Sequence, residues 1–267
     1  MAKKICIIVG HGKSRSGGYD SGALSKDKQQ HEFKIAREIA NYCATELRAA
    51  GYDCDLMNYN GNLYLTERIK AVNAADYDFI AEIHLNAGGG SGAEAYYCHN
   101  SLIGKKYAAA ISKSIATAFN IRDRGAKVRL GKSGKDYFGI IRDTKPCAVL
   151  VETVFIDTDD VAKVATSAGQ SKCGRAIAAA IAGVDGVKLD KATASKQIKA
   201  GAAVKLNKTP VYIGSTAKTA KTKKTGTYYL YDAIDFNGRY RITNKPANCG
   251  KKPAALYVTG YIDKKDI

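Results

Sequence analysis

Ile5-Cys6-Ile7-Ile8-Val9-Gly10-His11-Gly12 is a short apolar run of strand type that stops at a histidine held between two glycines. The same form returns in Phe79-Ile80-Ala81-Glu82-Ile83-His84-Leu85-Asn86, and again in Ala148-Val149-Leu150-Val151-Glu152. Apolar runs this short and this continuous read as strands buried on both faces, as in a parallel sheet. Each delivers a polar group near its carboxyl end, the edge at which open α/β sheets bind ligands.

Working outward, the segments between these runs have helical periodicity. From Glu32 to Leu47 the apolar residues fall at 35, 36, 39, 40, 43 and 47, and Gly51 follows as a stop. Tyr52–Met57 reads as a strand, Leu65–Ala75 as a second amphipathic helix, and 104–120 and 166–183 as two more. Strands alternating with helices predict an α/β domain over residues 1–183, with a mixed, mostly parallel sheet flanked by helices. Residues 88–92, Gly-Gly-Gly-Ser-Gly, read as a flexible loop at the rim beside His84.

The chain changes character after that. Residues 184–202 read as a linker, and 203–267 as a small all-β barrel built from runs at 203–206, 210–213, 226–231, 238–243 and 256–262. Between the second and third runs, residues 215–225 contain only Ser, Thr, Ala and Lys and read as a basic polar loop. The charge is divided unevenly. Residues 1–183 carry 25 Lys and Arg against 19 Asp and Glu, a net +6, whereas 184–267 carry 17 against 6, a net +11. A module so basic is drawn to a polyanion, or else presents a solvated basic face.

No apolar stretch approaches the roughly 20 residues of a membrane helix. The basic start Met1-Ala2-Lys3-Lys4 leads into a short apolar run and then the His11 loop, which is not the pattern of an export signal. Seven cysteines without paired C-x-x-C spacing argue against a disulfide framework and a structural zinc cluster; they read as free thiols of a reducing compartment. Serine-elbow, phosphate-loop and dinucleotide motifs are absent. The basic charge is joined to no recognition helix, so nucleic acid is not the expected partner.

His11 and His84, at one edge of one sheet, suit a catalytic zinc ion, which takes three protein ligands and keeps one position open. A carboxylate completes such a set. Glu32 heads the first helix and can point back over the sheet edge, but His31 beside it is a rival, and spacing does not choose between them. Glu152 ends the most apolar strand, where a carboxylate is costly to bury without a metal, a water or a donor. It is the candidate catalytic proton carrier, with an ion pair to Arg142 as the competing reading. Glu82, two residues before His84, is either a partner behind a metal-bound histidine or a charge at a solvated strand end. His99 receives no role.

These residues, taken in order, resemble the zinc-dependent N-acetylmuramoyl-L-alanine amidase family found in phage endolysins and bacterial autolysins. The likeness runs through Val9-Gly10-His11-Gly12, Tyr19-Asp20-Ser21-Gly22-Ala23, Glu32, Leu65-Thr66-Glu67-Arg68 with Asn73, Glu82-Ile83-His84-Leu85-Asn86-Ala87, Arg124-Gly125-Ala126-Lys127, Ile141-Arg142-Asp143-Thr144-Lys145-Pro146 and Val151-Glu152-Thr153-Val154-Phe155-Ile156. Two positions depart from the family pattern: Glu82 stands where many members carry serine, and Ser21 replaces the proline of Asp-Pro-Gly-Ala. The resemblance implies that His11, Glu32 and His84 bind zinc, that Glu152 is catalytic, and that the chain cuts the amide between N-acetylmuramic acid and L-alanine in peptidoglycan. The C-terminal segment resembles SH3-like wall-binding domains, which implies an anionic wall polymer as a second partner. Tyr228, Tyr229, Tyr231 and Tyr240 are then candidates for stacking on wall sugar or peptide, or for the barrel's own core. An endolysin held in the host cytoplasm until the membrane is breached is the leading expectation. The alternatives are a bacterial autolysin, a zinc peptidase acting on the stem peptide, and a non-catalytic wall-binding protein.

Overall fold

The computed structural model describes residues 2–187, 189, 200–232, 239–251, 253–263 and 266–267. The chain gathers into two compact units, Met1–Asp190 and Lys191–Ile267. Most of the expected linker, residues 188 and 190–199, lies outside the described residues, as does Gly238 at the start of one expected strand. Among the described residues no helix is long and apolar enough to cross a membrane.

The first unit runs β1 (Lys4–Val9), β2 (Gly12–Lys13), β3 (Tyr19–Asp20), α1 (Glu32–Ala49), β4 (Asp53–Met57), α2 (Leu65–Asn73), β5 (Phe79–Asn86), β6 (Ala93–Tyr97), α3 (Leu102–Phe119), β7 (Asp123–Lys127), α4 (Gly139–Arg142), β8 (Cys147–Phe155) and α5 (Ser167–Val184). Six strands form one sheet in the order β4-β1-β5-β8-β6-β7. The pairs β4–β1, β1–β5, β5–β8 and β6–β7 are parallel, while β6 runs antiparallel to β8. The sheet is therefore mixed and mostly parallel, with helices on both faces.

The strand period of two sorts the side chains between those faces. Ile5, Ile7 and Val9 of β1, Ala81 and Ile83 of β5, and Val149 and Val151 of β8 pack in a large core with residues of α1, α3 and α5. Cys6, Ile8, Ile80, Ala148 and Leu150 face the other way, against Val72 of α2 and Ile140 and Ile141 of α4. Each fully buried aliphatic side chain of this kind contributes about 1.5–3 kcal/mol through removal from water. Glu82 and His84 continue the Ile80 face of β5, and Glu152 continues the Leu150 face of β8. The alternation thus brings three polar groups onto the smaller of the two cores.

The second unit is a four-stranded antiparallel sheet of β9 (Ala203–Val211), β10 (Thr222–Leu230), β11 (Arg239–Thr243) and β12 (Gly260–Asp263), ordered β12-β11-β10-β9. Tyr212 and Tyr261 exchange both backbone hydrogen bonds at 2.9 Å, so the sheet curls and its two ends meet. Two expected runs merge into β9. β10 begins at Thr222, inside the stretch expected to be loop, because Thr222–Lys224 pair with Thr209–Val211 although their side chains bury nothing that an apolar pattern would reveal. Ala254–Leu256 forms a short 3₁₀ turn rather than strand.

The tyrosines divide. Tyr231 and Tyr240 are 3% and 2% exposed, and Tyr240 packs with Val204, Leu206, Leu230 and Ile262. Neither offers a ring face to a ligand, which corrects their assignment as stacking residues: a sheet this small needs its largest apolar side chains for its own core. Tyr228 is half-buried against that core, and Tyr229 is half-buried as well.

Candidate active site

The sheet order explains why the site lies where it does. After β1 the chain crosses to β4 on one side, and after β4 it returns to β5 on the other side of β1. The connections diverge between β1 and β5, leaving a crevice at their carboxyl ends, and this is the general ligand position in open α/β sheets. His11 follows β1 directly and His84 lies near the end of β5.

Glu32 opens α1 and is 3% exposed. Its Oε1 accepts from His84 Nδ1 at 2.9 Å and lies 3.1 Å from His11 Nε2, and the two rings meet edge to face with centroids 4.9 Å apart. Its Oε2 accepts from the backbone N–H of Ala23 at 2.8 Å. His31 is the N-cap of α1 and is not part of the cluster. Each imidazole also has a carboxylate behind it. His11 Nδ1 donates to Asp20 Oδ2 at 2.9 Å, and His84 Nε2 donates to Glu82 Oε1 at 3.2 Å.

Two glycines make this crowding possible. A Cβ at Gly10 would stand 2.2 Å from His84 Cε1, inside the ring's own volume. Gly22 has φ +66° and a Cβ there would lie 2.5 Å from Glu32 Oε2. His11 itself has φ 60°, a strained value for a residue with a Cβ. Neighbours hold it there: Asn58 Nδ2 donates to both Val9 and His11 carbonyls at 2.8 Å, and Arg68 donates to the His11 carbonyl at 3.3 Å.

Glu82 is 1% exposed and paired with Arg68 at 2.8 Å, so it is no solvated strand end. Glu152 lies in register with His84 across β5 and β8, and with Glu94 across β6 and β8. Its Oε2 is buried without a hydrogen-bond partner. Arg142, the competing partner, is turned to Asp143 and to the carbonyls of Asp136 and Tyr137.

The electrostatics follow from these contacts. Burial alone would lower the His84 imidazole, but hydrogen bonds to Glu32 and Glu82 override it and raise it to about 10; His11 is raised for the same reason, with Glu32 as its main partner. Burial would raise Glu32, yet its two histidines hold it well below the usual carboxylate range. Glu152 has no such donor. Burial, reinforced by the Glu32 and Glu94 carboxylates, lifts it to about 7, against the opposing pull of the two histidines.

His11, Glu32 and His84 offer ligand atoms that all lie within 4.8 Å of one another. The ligands of a tetrahedral zinc ion stand roughly 3.3–3.8 Å apart, given bonds of about 2.0–2.3 Å. The observed separations of 2.9 and 3.1 Å are close to that, and a cation here would replace the protons shared between each ring and Glu32. The neutral-nitrogen and carboxylate donor set suits zinc, and the carboxylates behind both rings are the usual supports of metal-bound histidine. Beside this cluster a cleft of 230 Å³ is walled by Tyr64, Leu65, Phe138, Gly139 and Leu150.

The loop at 88–92 is pinned rather than free. Asp157 accepts from the N–H groups of Gly88 and Gly89 at 2.8 and 2.9 Å, and Asp160 from Gly92 at 2.8 Å. Of the site residues, Asp20, Asn58 and Arg68 were not singled out from the sequence. Asp20 and Arg68 sit within the quoted motifs, which was the signal available; Asn58 carried none.

Residues 5–183 match the N-acetylmuramoyl-L-alanine amidase family Amidase_3. The chain is 30% identical over 169 residues to the N-acetylmuramoyl-L-alanine amidase CwlM of Bacillus licheniformis, covering 62% of this chain and 62% of that protein. It is 27% identical over 251 residues to the endolysin of Bacillus phage SPP1, covering 90% of this chain and 84% of that one. Among solved structures it is similar to Cwp6 from Clostridium difficile, with TM-score 0.62 and 33% identity over 68% of this chain and 29% of that chain. The chain thus spans about three fifths of the length of the Bacillus licheniformis relative.

Proposed function

The chain belongs to the N-acetylmuramoyl-L-alanine amidase family, and from that premise we propose that it hydrolyses the amide between the lactyl group of N-acetylmuramic acid and L-alanine in peptidoglycan. His11, Glu32 and His84 would hold a zinc ion. When bound, zinc supplies Lewis acidity at the reacting carbonyl and water. Asp20 and Glu82 fix the orientation of the two imidazoles and keep them basic enough to serve as ligands. Glu152 takes a proton from the attacking water and passes it to the leaving alanine nitrogen. Burial holds this carboxyl above the ordinary carboxylate range in the metal-free site, the direction a proton carrier working near neutral pH needs. The cleft lined by Tyr64, Leu65, Phe138 and Leu150 gives the substrate an apolar wall beside the ligand cluster.

The observation that carries this reading is Glu152: a buried carboxylate with an unpartnered oxygen, in register with His84, where His11, Glu32 and His84 converge. The test is digestion of purified peptidoglycan with and without a chelator and with zinc restored, the new ends being identified by mass spectrometry. Zinc-dependent release of peptides with L-alanine at the amino end is expected. Cleavage within the stem peptide would replace the amidase with a peptidase, and full lysis by Glu152→Gln would remove the proposed proton carrier.

We further propose a role as an endolysin, stored in the host cytoplasm and acting on the wall once the membrane is opened. The phage relative supports this, since its likeness extends over 90% of the chain and so into the second unit. That unit, with its net charge of +11 and a sheet whose ends meet, is proposed as an SH3-like module that holds the enzyme on an anionic wall polymer.

A further inference from the structure

A thiol, an imidazole and a carboxylate meet away from the site above. β6 runs antiparallel to β8, so the residues after Tyr97 lie toward the Cys147 end of β8, at the opposite sheet edge from Glu152. There Cys98 and His99 face Asp136, on the returning arm of a tight hairpin in which Leu130 pairs with Asp136 and Tyr137 N–H donates to the Arg129 carbonyl. The ligand atoms of the three residues all lie within 4.8 Å of one another.

Asp136 is 6% exposed. Its Oδ1 accepts from the His99 backbone N–H at 3.1 Å and its Oδ2 from His99 Nδ1 at 3.0 Å, and the Cys98 sulfur lies within 4.8 Å of the same carboxylate. Among the described residues no lysine or arginine hydrogen bonds to that carboxylate; Arg142 reaches only its main-chain oxygen. Cys98 is a free thiol, and burial together with Asp136 pushes it up, which does not suit a nucleophile. The arrangement parallels the first site, where two rings share protons with one carboxylate.

We propose that Cys98, His99 and Asp136 form a second metal site, taking a zinc-type divalent cation on thiolate, imidazole and carboxylate. The donor set is soft to borderline, which selects such ions over magnesium or calcium. Binding expels the thiol proton to solvent and shifts the ring proton to Nε2, freeing Nδ1. The cation ties the end of β6 to the hairpin that runs directly into Phe138 and Gly139, two walls of the catalytic cleft. His99 is partly exposed, which leaves room for water as a fourth ligand.

Cobalt(II) titration of the full chain, stripped of metal under reducing conditions, tests this. A thiolate-to-cobalt charge-transfer band reports a cysteine ligand, and the first site has none. A band is expected in the parent and in His84→Ala, and its loss, with one fewer metal equivalent bound, in Cys98→Ser; Asp136→Asn should weaken the cobalt site at least about tenfold. On the parent protein, zinc should also slow alkylation of Cys98 as read by peptide mass spectrometry, a measurement that needs no variant to fold. Absence of the band, its persistence in Cys98→Ser, or alkylation of Cys98 indifferent to zinc would overturn the proposal.

Discussion

Glu152 places function and stability in opposition. The unfolded chain loses this proton near pH 4.5, while the folded chain keeps it to about 7. The buried carboxylate therefore subtracts from stability as pH rises through that window, by up to about 3 kcal/mol. Metal-free Glu152→Gln should accordingly melt above its parent at pH 8 and level with it at pH 4, while losing roughly 10²–10⁴-fold in turnover when zinc is present. Melts that coincide at both pH values would mean the carboxylate is solvated. Glu82 poses a different question, since it both supports His84 and neutralises buried Arg68. Glu82→Gln is expected to cost about 3–5 kcal/mol by stranding the guanidinium and about 10–100-fold in zinc affinity. The double variant Glu82→Met with Arg68→Met should regain most of the stability and none of the affinity, a split that a purely structural role would not produce.

At the level of elements, the helices hold the strands so that their ends converge. α1 and α5 pack so closely that a Cβ at Gly174 would fall 2.6 Å from the Ile39 carbonyl oxygen. Gly174→Ala should therefore push α1 outward and cost about 1–3 kcal/mol, seen as a lower urea midpoint at unchanged slope. Because Glu32 heads α1, the same change should weaken zinc binding without touching a ligand. β1, β5 and β8 were readable from their apolar runs, and α1 from its spacing at 35, 36, 39, 40, 43 and 47, whereas β6 and β7 were not read as strands. β10 was misread at its start because Thr222–Lys224 pair through backbone alone, and backbone pairing leaves no pattern in side chains.

For the whole molecule, the proposed metal binding is coupled to proton release. His11 and His84 are raised, so zinc must displace between one and two protons, and apparent affinity should rise roughly ten- to hundredfold per pH unit from pH 6 to 8. Calorimetry in buffers of different ionisation heats counts those protons; none released would contradict the shared-proton picture. The excess of positive charge beyond residue 183 predicts that binding to isolated cell walls weakens steeply as salt screens it, with a Debye length of about 10 Å at 0.1 M. Salt-independent binding would instead favour stacking by half-buried rings such as Tyr228 and Tyr229. The chain alone was enough to read the α/β class, the polar strand ends of Glu152 and His84, and the basic C-terminal segment, because periodicity and charge are local properties of sequence. The sharing of one Glu32 oxygen between His11 and His84, the pairing of Glu82 with Arg68, the burial of Tyr231 and Tyr240, and the meeting of Cys98 and His99 with Asp136 came only with the folded chain. Each depends on which residues distant in sequence are brought within about 3–4 Å, and that is set by packing of the two cores rather than by any spacing along the chain.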